Sequence, residues 1–305
     1  MEEIKGYSLP KFNCKMVSLS EIDDLKIEKI TIEDDKYVYW MSVVHGLDVE
    51  WEVGYLDNDF YDGIAGVYLF FESLYLETKI KKYKEYAKKI VNSLKMNFNK
   101  NTVGLSSGYV GLIHATAYIK NRRVIREISE DLQTQFSYLE NDHDDIPMDY
   151  LNGTPSLINS LLKIYQRDDD MDVLLQATKY AEKYMSLPVA EEMKSDLGFG
   201  HGYLSIALVF YRLWNITDNV RYCKSAEQYY SYFESSYEAE KESLESNLSW
   251  CRGLLGVLIG QLEIYQITKD EKHLKIINEL EEIIFKMNEL NDDGLCHGNI
   301  AYSEF

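Results

Sequence analysis

From residue 61 onward, apolar and polar positions follow the periodicity of helices, whereas residues 1 to about 57 do not. The early segments 26–32 and 36–44 are rich in Ile, Val, Tyr and Trp and are interrupted by polar pairs, which predicts short strands. We therefore divide the chain into an extended or β-like wrapping segment, residues 1–57, and a helical domain, residues 58–305. We expect the first to cover one edge of the second rather than to fold separately.

The helical part consists of a repeated unit. Six anchor glycines are spaced 45, 45, 49, 51 and 45 residues apart, and a second small residue follows three positions after each. The anchors are Gly63, Gly108, Gly153, Gly202, Gly253 and Gly298, and the second small residues are Gly66, Gly111, Ser156, Ser205, Gly256 and Ala301. An internal period of this length is typical of helical repeat proteins. Each unit is predicted to be an apolar helix, a short turn and a second helix.

The two helices of a unit differ in polarity. The first is apolar on nearly all sides, as in residues 64–71, and must be buried on most of them. The second is amphipathic, and Thr217 and Thr268 are predicted N-caps for two of these helices. We predict amphipathic helices at 79–94, 122–139, 173–185, 221–232 and 272–287. Such alternation fits an open solenoid or a closed, all-α α/α barrel with a parallel inner ring of helices. We favour the barrel, because an open solenoid would expose broad faces of the apolar first helices.

Composition narrows the classes of partner. A net charge of −19 without a basic stripe argues against nucleic acid, and solvated acidic faces or a preference for cationic peptides explains it. No apolar stretch reaches the roughly 20 residues that a membrane span needs, and the N-terminus lacks the pattern of a signal peptide, so we expect a cytoplasmic protein. Four cysteines are too few for a disulfide framework, which makes a conspicuous Cys a candidate ligand or nucleophile.

Residues at the same distance from their anchor glycine should lie at the same height on one rim of the ring. Cys251 and Cys296 both precede their anchor by two positions, and His201 and His297 precede theirs by one. Asp149 lies four positions before the anchor of a neighbouring unit. The register therefore predicts two thiols, two imidazoles and a carboxylate on one rim.

Two thiolates and an imidazole from adjacent helix starts form a three-ligand zinc set with an open fourth position. The helix N-termini would favour the thiolate form. His201 could supply a fourth ligand or stand beside the metal as acid or base. Other interpretations remain for each residue alone: a Cys at a helix start can be a small core residue, Asp149 can be an N-cap, and Trp250 can be a packed rim residue or a substrate wall.

Three segments resemble the signature motifs of the lanthionine synthetase C-like (LanC-like) cyclases: Gly-Phe-Gly-His-Gly at 198–202, Ser-Trp-Cys-Arg-Gly at 249–253 and Leu-Cys-His-Gly-Asn at 295–299. The last of these and residues 61–67 look most similar to the C-terminal cyclase region of class II (LanM-type) lanthipeptide synthetases. The resemblance covers roughly residues 35–305. It implies a toroid of seven inner and seven outer helices, with a zinc ion held by Cys251, Cys296 and His297.

The same resemblance implies a zinc-dependent thioether cyclase. Its substrate would be a precursor peptide with dehydrated Ser and Thr residues, whose Cys thiolate adds to dehydroalanine or dehydrobutyrine to give lanthionine or methyllanthionine. His201 matches the acid/base position of the family, and Asp149 matches an active-site Asp in a degenerate motif. Trp250 and Arg252 would line the substrate, although Arg252 stands where the family usually has Tyr or His.

Other interpretations follow from departures from the family pattern. By this resemblance the chain ends about eight residues into the sixth inner helix, so we expect a toroid that is incomplete in its sixth of seven repeats and that another chain could complete. Dehydration would belong to a separate dehydratase domain or protein. One alternative is a degenerate, non-catalytic zinc-binding remnant or partner-binding module, and another is a LanC-like protein that adds glutathione. An α/α-barrel glycosidase is less favoured, because no convincing carboxylate pair shares the rim.

Overall fold

The computed structural model describes residues 31–44, 52–61, 63–96, 104–105, 108–118, 148–189, 196–244, 247–286 and 296. Within these ranges lie three strands, β1 (Thr31–Glu33), β2 (Val38–Val44) and β3 (Glu52–Tyr55), and nine helices. The helices are α1 (Ile64–Thr78), α2 (Lys81–Met96), α3 (Gly108–Tyr118), α4 (Thr154–Asp168), α5 (Met171–Met185), α6 (Tyr203–Thr217), α7 (Val220–Leu244), α8 (Leu254–Thr268) and α9 (Glu271–Ile284). None of the helices in these ranges is long and apolar enough to cross a bilayer.

The helices form two layers, as the alternation of polarity predicts. The first helices of the units, α1, α3, α4, α6 and α8, pack side by side in chain order, and α1, α4, α6 and α8 each pack against the second helix of their unit. Four of these first helices are apolar, whereas α4 is amphipathic. The inner helices contribute more residues to the core than the outer helices do; in α6, for example, every residue from Tyr203 to Tyr211 is buried. The predicted α/α toroid is therefore confirmed. The amphipathic helix predicted at 122–139 lies outside the described residues.

The anchor glycines mark the starts of the inner helices. Gly63, Gly153, Gly202 and Gly253 are the N-caps of α1, α4, α6 and α8, and their backbones are extended, a conformation that any residue can adopt. Glycine is required at Gly63 because the preceding loop leaves no room for a side chain. A Cβ atom on Gly63 would lie 2.5 Å from the carbonyl oxygen of Asp57 and 2.6 Å from the backbone nitrogen of Asp59. Cβ atoms on Gly202 and Gly253 would likewise collide with backbone oxygens of the preceding loop, so the loops before α1, α6 and α8 fold back onto the helix starts.

The second small residue brings neighbouring loops close, which gives a testable prediction at Gly256. A Cβ atom there would meet the carbonyl oxygen of Trp250 and lie 2.6 Å from the backbone nitrogen of Phe199. Both obstacles are backbone atoms of the rim, so we expect Gly256→Ala to lower the free energy of unfolding by about 1–3 kcal/mol, measured by urea denaturation.

Gly260→Ala is the matched control for this variant, because it lies in the same helix and gains the same helix propensity. Its nearest obstacle is the Cδ2 atom of Leu204 at 2.5 Å, the far end of a flexible side chain. We expect a smaller loss of stability there. Equal losses in the two variants would contradict the requirement for a close backbone approach at Gly256.

The inner helices end in a common turn. The residues after α1, α4, α6 and α8 are left-handed, with φ between 54° and 60°, and each donates its N–H to the carbonyl of an aromatic residue four positions earlier. These residues are Lys79, Asp169, Asp218 and Lys269. This turn gives all four helices the same length of 15 residues.

The prediction that Thr217 and Thr268 cap the following helices is wrong. They are the last residues of α6 and α8, and their hydroxyls donate to the carbonyl oxygens of Leu213 (2.7 Å) and Ile264 (2.9 Å). The left-handed residue that follows each Thr displaces the cap by two positions. The side chains that accept an N–H at the starts of α5, α7 and α9 are Asp170, Asn219 and Asp270.

The three strands form an antiparallel sheet in the order β1-β2-β3 that lies against the first helical unit. The N–H of Val38 donates to Ser93 Oγ in α2 (3.0 Å), and that hydroxyl donates back to the carbonyl of Val38 (2.8 Å). The Trp40 ring stacks on Phe71 at 5.9 Å. The strand predicted at 36–44 is confirmed as β2, and β1 begins at Thr31, whereas residues 26–30 lie outside the described residues. The division at residue 57 stays a prediction.

Candidate active site

The loops before the inner helices are joined by backbone hydrogen bonds. In each of these bonds, the loop of one unit donates an N–H to a carbonyl of the next unit. The pairs are Phe60 to Leu105 (2.9 Å), Leu151 to Gly200 (2.9 Å), Phe199 to Trp250 (3.1 Å), Gly200 to Cys251 (2.9 Å) and Trp250 to Cys296 (2.7 Å). In all but the last, the two residues have the same offset from their anchor glycine. Equal offsets therefore place residues side by side on one rim, as predicted.

This register brings Cys251 and Cys296 together. Both are buried and neither is in a disulfide, and their thiols are hydrogen-bonded to each other. The contact with Cys251 and the burial of the site raise the pKa of the Cys296 thiol above its ordinary value, although a hydrogen bond with Tyr61 opposes the shift. Two adjacent thiols in a buried site cannot both ionise unless a cation balances their charge.

The thiol pair fits a zinc ion in donor chemistry, since thiolates are preferred zinc ligands and a bound cation would stabilise both. The third predicted ligand, His297, lies outside the described residues. Among the residues that are described, no group of three His, Cys, Asp or Glu side chains is arranged to hold a metal. His201 therefore does not form a ligand set with the two cysteines in this arrangement; it is engaged elsewhere.

His201 pairs with Asp149. Its Nδ1 atom lies 3.0 Å from Asp149 Oδ2, and both side chains are mostly buried, with 15% and 18% exposed. Asp149 also accepts hydrogen bonds from the backbone N–H (2.6 Å) and the side-chain amide (3.1 Å) of Asn152. It therefore does not cap α4, whose N-cap is Gly153. The arrangement leaves Nε2 of His201 as the ring nitrogen that can act on a substrate.

The pair shifts the pKa values of both groups. The hydrogen bond to Asp149 raises the pKa of His201 above its ordinary value, and burial opposes this only in part. Burial alone would raise the pKa of Asp149, but the hydrogen bonds from His201 and Asn152 outweigh it and hold that pKa below its ordinary value. This is the electrostatics of an ionised carboxylate that stabilises a protonated imidazole, as in general acid/base sites.

Trp250 and Arg252 lie on either side of Cys251. The Trp250 ring packs against Phe199 (5.5 Å between centroids) and Tyr150 (6.3 Å), so it is a packed rim residue. The Arg252 side chain is 58% exposed and its Nη1 lies 3.4 Å from Asp196 Oδ1. The Arg252 charge is close enough to His201 to oppose its protonation. Arg252 is thus exposed on the rim and Trp250 is partly buried against neighbouring rings, and the role of both in lining a substrate stays a prediction.

Sequence reasoning missed Tyr61 and Asp196. Tyr61, which hydrogen-bonds with the Cys296 thiol, precedes its anchor glycine by two positions, the same offset as both cysteines. The register could have identified it, but a Tyr is not a residue type sought for a metal site. Asp196 precedes its anchor by six positions, and its contact with Arg252 crosses between units, for which the sequence gives no signal.

Comparison with known proteins places this rim in a family. The family model for lanthionine synthetase C-like proteins matches residues 54–305. The lacticin 481/lactococcin biosynthesis protein LcnDR2 of Lactococcus lactis subsp. lactis is 22% identical over 318 aligned positions, which cover 93% of this chain and 33% of the relative. The chain thus spans about a third of the length of that relative.

Two solved structures share the architecture. Nisin cyclase aligns with a TM-score of 0.53 at 15% identity, over 81% of this chain and 75% of its own. A D-mannose isomerase aligns with a TM-score of 0.50 at 14% identity, over 95% and 90%. Because proteins with such different names share the fold, the fold alone does not specify an activity. The family model does discriminate, and its match includes every described residue of the rim. The chain therefore belongs to the lanthionine synthetase C-like family.

Proposed function

We propose that this protein is a zinc-dependent thioether cyclase that acts on dehydrated peptides. One observation carries the proposal: the Cys251 and Cys296 thiols are in contact on the same rim as the hydrogen-bonded pair of His201 and Asp149. Membership of the lanthionine synthetase C-like family, and the similarity to a lacticin 481/lactococcin biosynthesis protein and to nisin cyclase, support it. The substrate would be a peptide that carries a Cys and a dehydroalanine or dehydrobutyrine, delivered after a dehydratase domain or protein has acted.

Zinc held by Cys251, Cys296 and His297 would keep the thiol of the substrate Cys deprotonated near neutral pH while leaving it nucleophilic. The sulfur adds to the β-carbon of the dehydrated residue, the C=C electron pair moves towards the α-carbon, and a proton is added there. The thiol loses one proton and the α-carbon gains one, so the mass of the peptide does not change.

His201 is the residue that moves the proton in this proposal. Asp149 holds Nδ1, so Nε2 faces the substrate and either delivers a proton to the α-carbon or takes the proton of the thiol. The raised pKa of His201 favours the protonated form and hence the first role. Asp149 fixes the orientation of the ring and stabilises its positive charge. Arg252, exposed on the same rim, would contact the peptide.

The test is incubation of the purified protein with a synthetic dehydrated peptide that contains one Cys. We expect the free thiol to disappear in an alkylation assay while the peptide mass stays constant, and the activity to be lost on chelation and restored by zinc. If the thiol persists although the protein contains zinc, the chain is a non-catalytic zinc-binding module and the proposal is wrong. A parallel reaction with glutathione tests the alternative that the protein adds glutathione to dehydrated residues, since that addition raises the peptide mass.

A further inference from the structure

A chain of polar side chains inside the ring joins the Asp149 loop to three inner helices. The Tyr150 hydroxyl accepts a hydrogen bond from Asn159 Nδ2 in α4 at 2.6 Å. The Asn159 carbonyl oxygen accepts one from Arg212 in α6, and Arg212 forms an ion pair with Glu263 in α8. Tyr150, Asn159, Arg212 and Glu263 together form what we call the interior network.

The interior network is expensive to bury. Tyr150 and Asn159 are almost inaccessible, and burial lowers the pKa of Arg212 below its ordinary value. A guanidinium that leaves water costs free energy that its ion pair only partly returns, and apolar residues of similar size often give equal or greater stability. Stability alone therefore does not account for the interior network. A fully satisfied polar network does fix the relative positions of the groups that it joins.

The interior network connects the parts of the chain that carry the residues of the candidate active site. Tyr150 directly follows Asp149, and its ring packs edge-on against Phe199 (5.0 Å) and Trp250 (6.3 Å). Phe199 lies two positions before His201, and Trp250 lies next to Cys251. The interior network also joins α6 and α8, the inner helices that begin just after His201 and Cys251, respectively. The Tyr150 hydroxyl, through Asn159 and Arg212, thus links the Asp149 loop to α6 and α8, which begin directly after the loops that carry His201 and Cys251.

We propose that the interior network is a positioning network, which holds the Asp149 carboxylate against His201 and keeps this pair in register with the cysteines. The inference rests on the proposed function, since the pair is the acid/base group of that reaction. None of the four residues need touch the substrate. A displacement of about 1 Å at a catalytic group can cost on the order of 10²-fold in rate without loss of the fold.

Tyr150→Phe is the decisive variant, because it removes only the hydroxyl and keeps the ring contacts. We expect kcat to fall about tenfold, the usual effect of losing an orienting partner, with KM within about twofold of wild type. Asn159→Leu should behave in the same way, and the double variant should be no slower than either single one. Asn159→Asp should restore the rate, since its carboxylate accepts from both Arg212 and the Tyr150 hydroxyl.

Tyr118→Phe is the matched control. The Tyr118 hydroxyl also accepts a hydrogen bond between neighbouring inner helices, from Lys163 Nζ at 2.7 Å, but it is not attached to the Asp149 loop. Its kcat should stay at the wild-type value. Wild-type kcat in Tyr150→Phe, an Asn159→Asp variant as slow as Asn159→Leu, or an equal fall in the control would overturn the inference.

A second measurement separates this inference from the proposed function. If the wild-type protein consumes no peptide thiol, the cyclase proposal fails. Amide hydrogen exchange then tests independently whether the interior network positions the Asp149 loop. The Leu151 N–H donates to the carbonyl of Gly200 at 2.9 Å and reports the docking of the Asp149 loop. Faster exchange at Leu151 in Tyr150→Phe than in Tyr118→Phe supports the positioning network, and equal exchange in the two variants overturns it.

Discussion

Under the proposed zinc-dependent mechanism, replacing Cys251 with Ala should remove the zinc and lower the cyclisation rate by about three orders of magnitude or more, since such a metal contributes several kcal/mol to stabilisation of the transition state. The physical reason is the contact between the Cys251 and Cys296 thiols. Without Cys251, only two of the three proposed ligands, Cys296 and His297, remain, and we expect them not to retain the metal. Elemental analysis should show about one zinc per wild-type chain and almost none in the variant.

Cys223→Ala is the control for this prediction. Cys223 lies on α7, where its thiol contacts Glu227 and takes no part in the rim. It should keep both zinc and activity. A Cys251→Ala protein that retains the wild-type zinc content would show that the thiol pair is not the metal site. A zinc-free variant that still cyclises the peptide would show that the metal is not needed for the chemistry.

The second large effect is expected at His201. His201→Ala should lower kcat by about 10²- to 10⁴-fold, the usual contribution of a general acid or base, while the zinc content stays at the wild-type level. This combination distinguishes loss of proton transfer from loss of the metal. The structure motivates it, because His201 is paired with Asp149 and does not form a ligand set with the two cysteines. A loss of zinc together with activity would instead make His201 a ligand.

Asp149→Asn tests the same pair through pH. The hydrogen bond to Asp149 raises the pKa of His201, and a neutral amide cannot stabilise the imidazolium in the same way. The limb of the kcat profile that reports His201 should therefore move to lower pH, whether His201 acts as the acid or as the base. A limb at the wild-type pH would show that Asp149 does not set this pKa.

The ion pair of His201 and Asp149 also makes the free energy of unfolding depend on pH. The direction of this dependence follows from the shifts in the two pKa values. The raised pKa of His201 contributes stability that is complete below its ordinary value of 6.5 and is lost as pH rises through the folded value. The lowered pKa of Asp149 contributes stability that is complete above 3.8 and is lost as pH falls through the folded value. The difference in unfolding free energy between wild type and Asp149→Asn should thus be larger at about pH 5 than at about pH 9.

Much of the architecture follows from local pattern. The anchor glycines predict where the inner helices begin, because at Gly63, Gly202 and Gly253 a Cβ atom would collide with the loop that folds back onto the helix start. The polarity of the other helices predicts their layer, but α4 is as amphipathic as the outer helix α5 and is assigned to the inner layer only by its position in the repeat. Local pattern failed where one sequence is compatible with either the end of one helix or the start of the next. Thr217 and Thr268 resemble N-caps, but each is the last residue of the preceding helix, because a left-handed residue follows it. Likewise α7 extends to Leu244 rather than ending near residue 232, since Phe233 and Tyr237 continue its buried face.

The sequence by itself determined the helical repeat, the rim and the residue types that meet there, because each depends on spacing along the chain. The offsets of Cys251 and Cys296 are enough to predict that they are neighbours. Only the tertiary structure decided that His201 turns towards Asp149, that Tyr61 contacts Cys296 and that Arg212 joins Asn159 to Glu263. These contacts depend on the curvature of the ring and on the directions of side chains in different units, which no periodicity within one unit records.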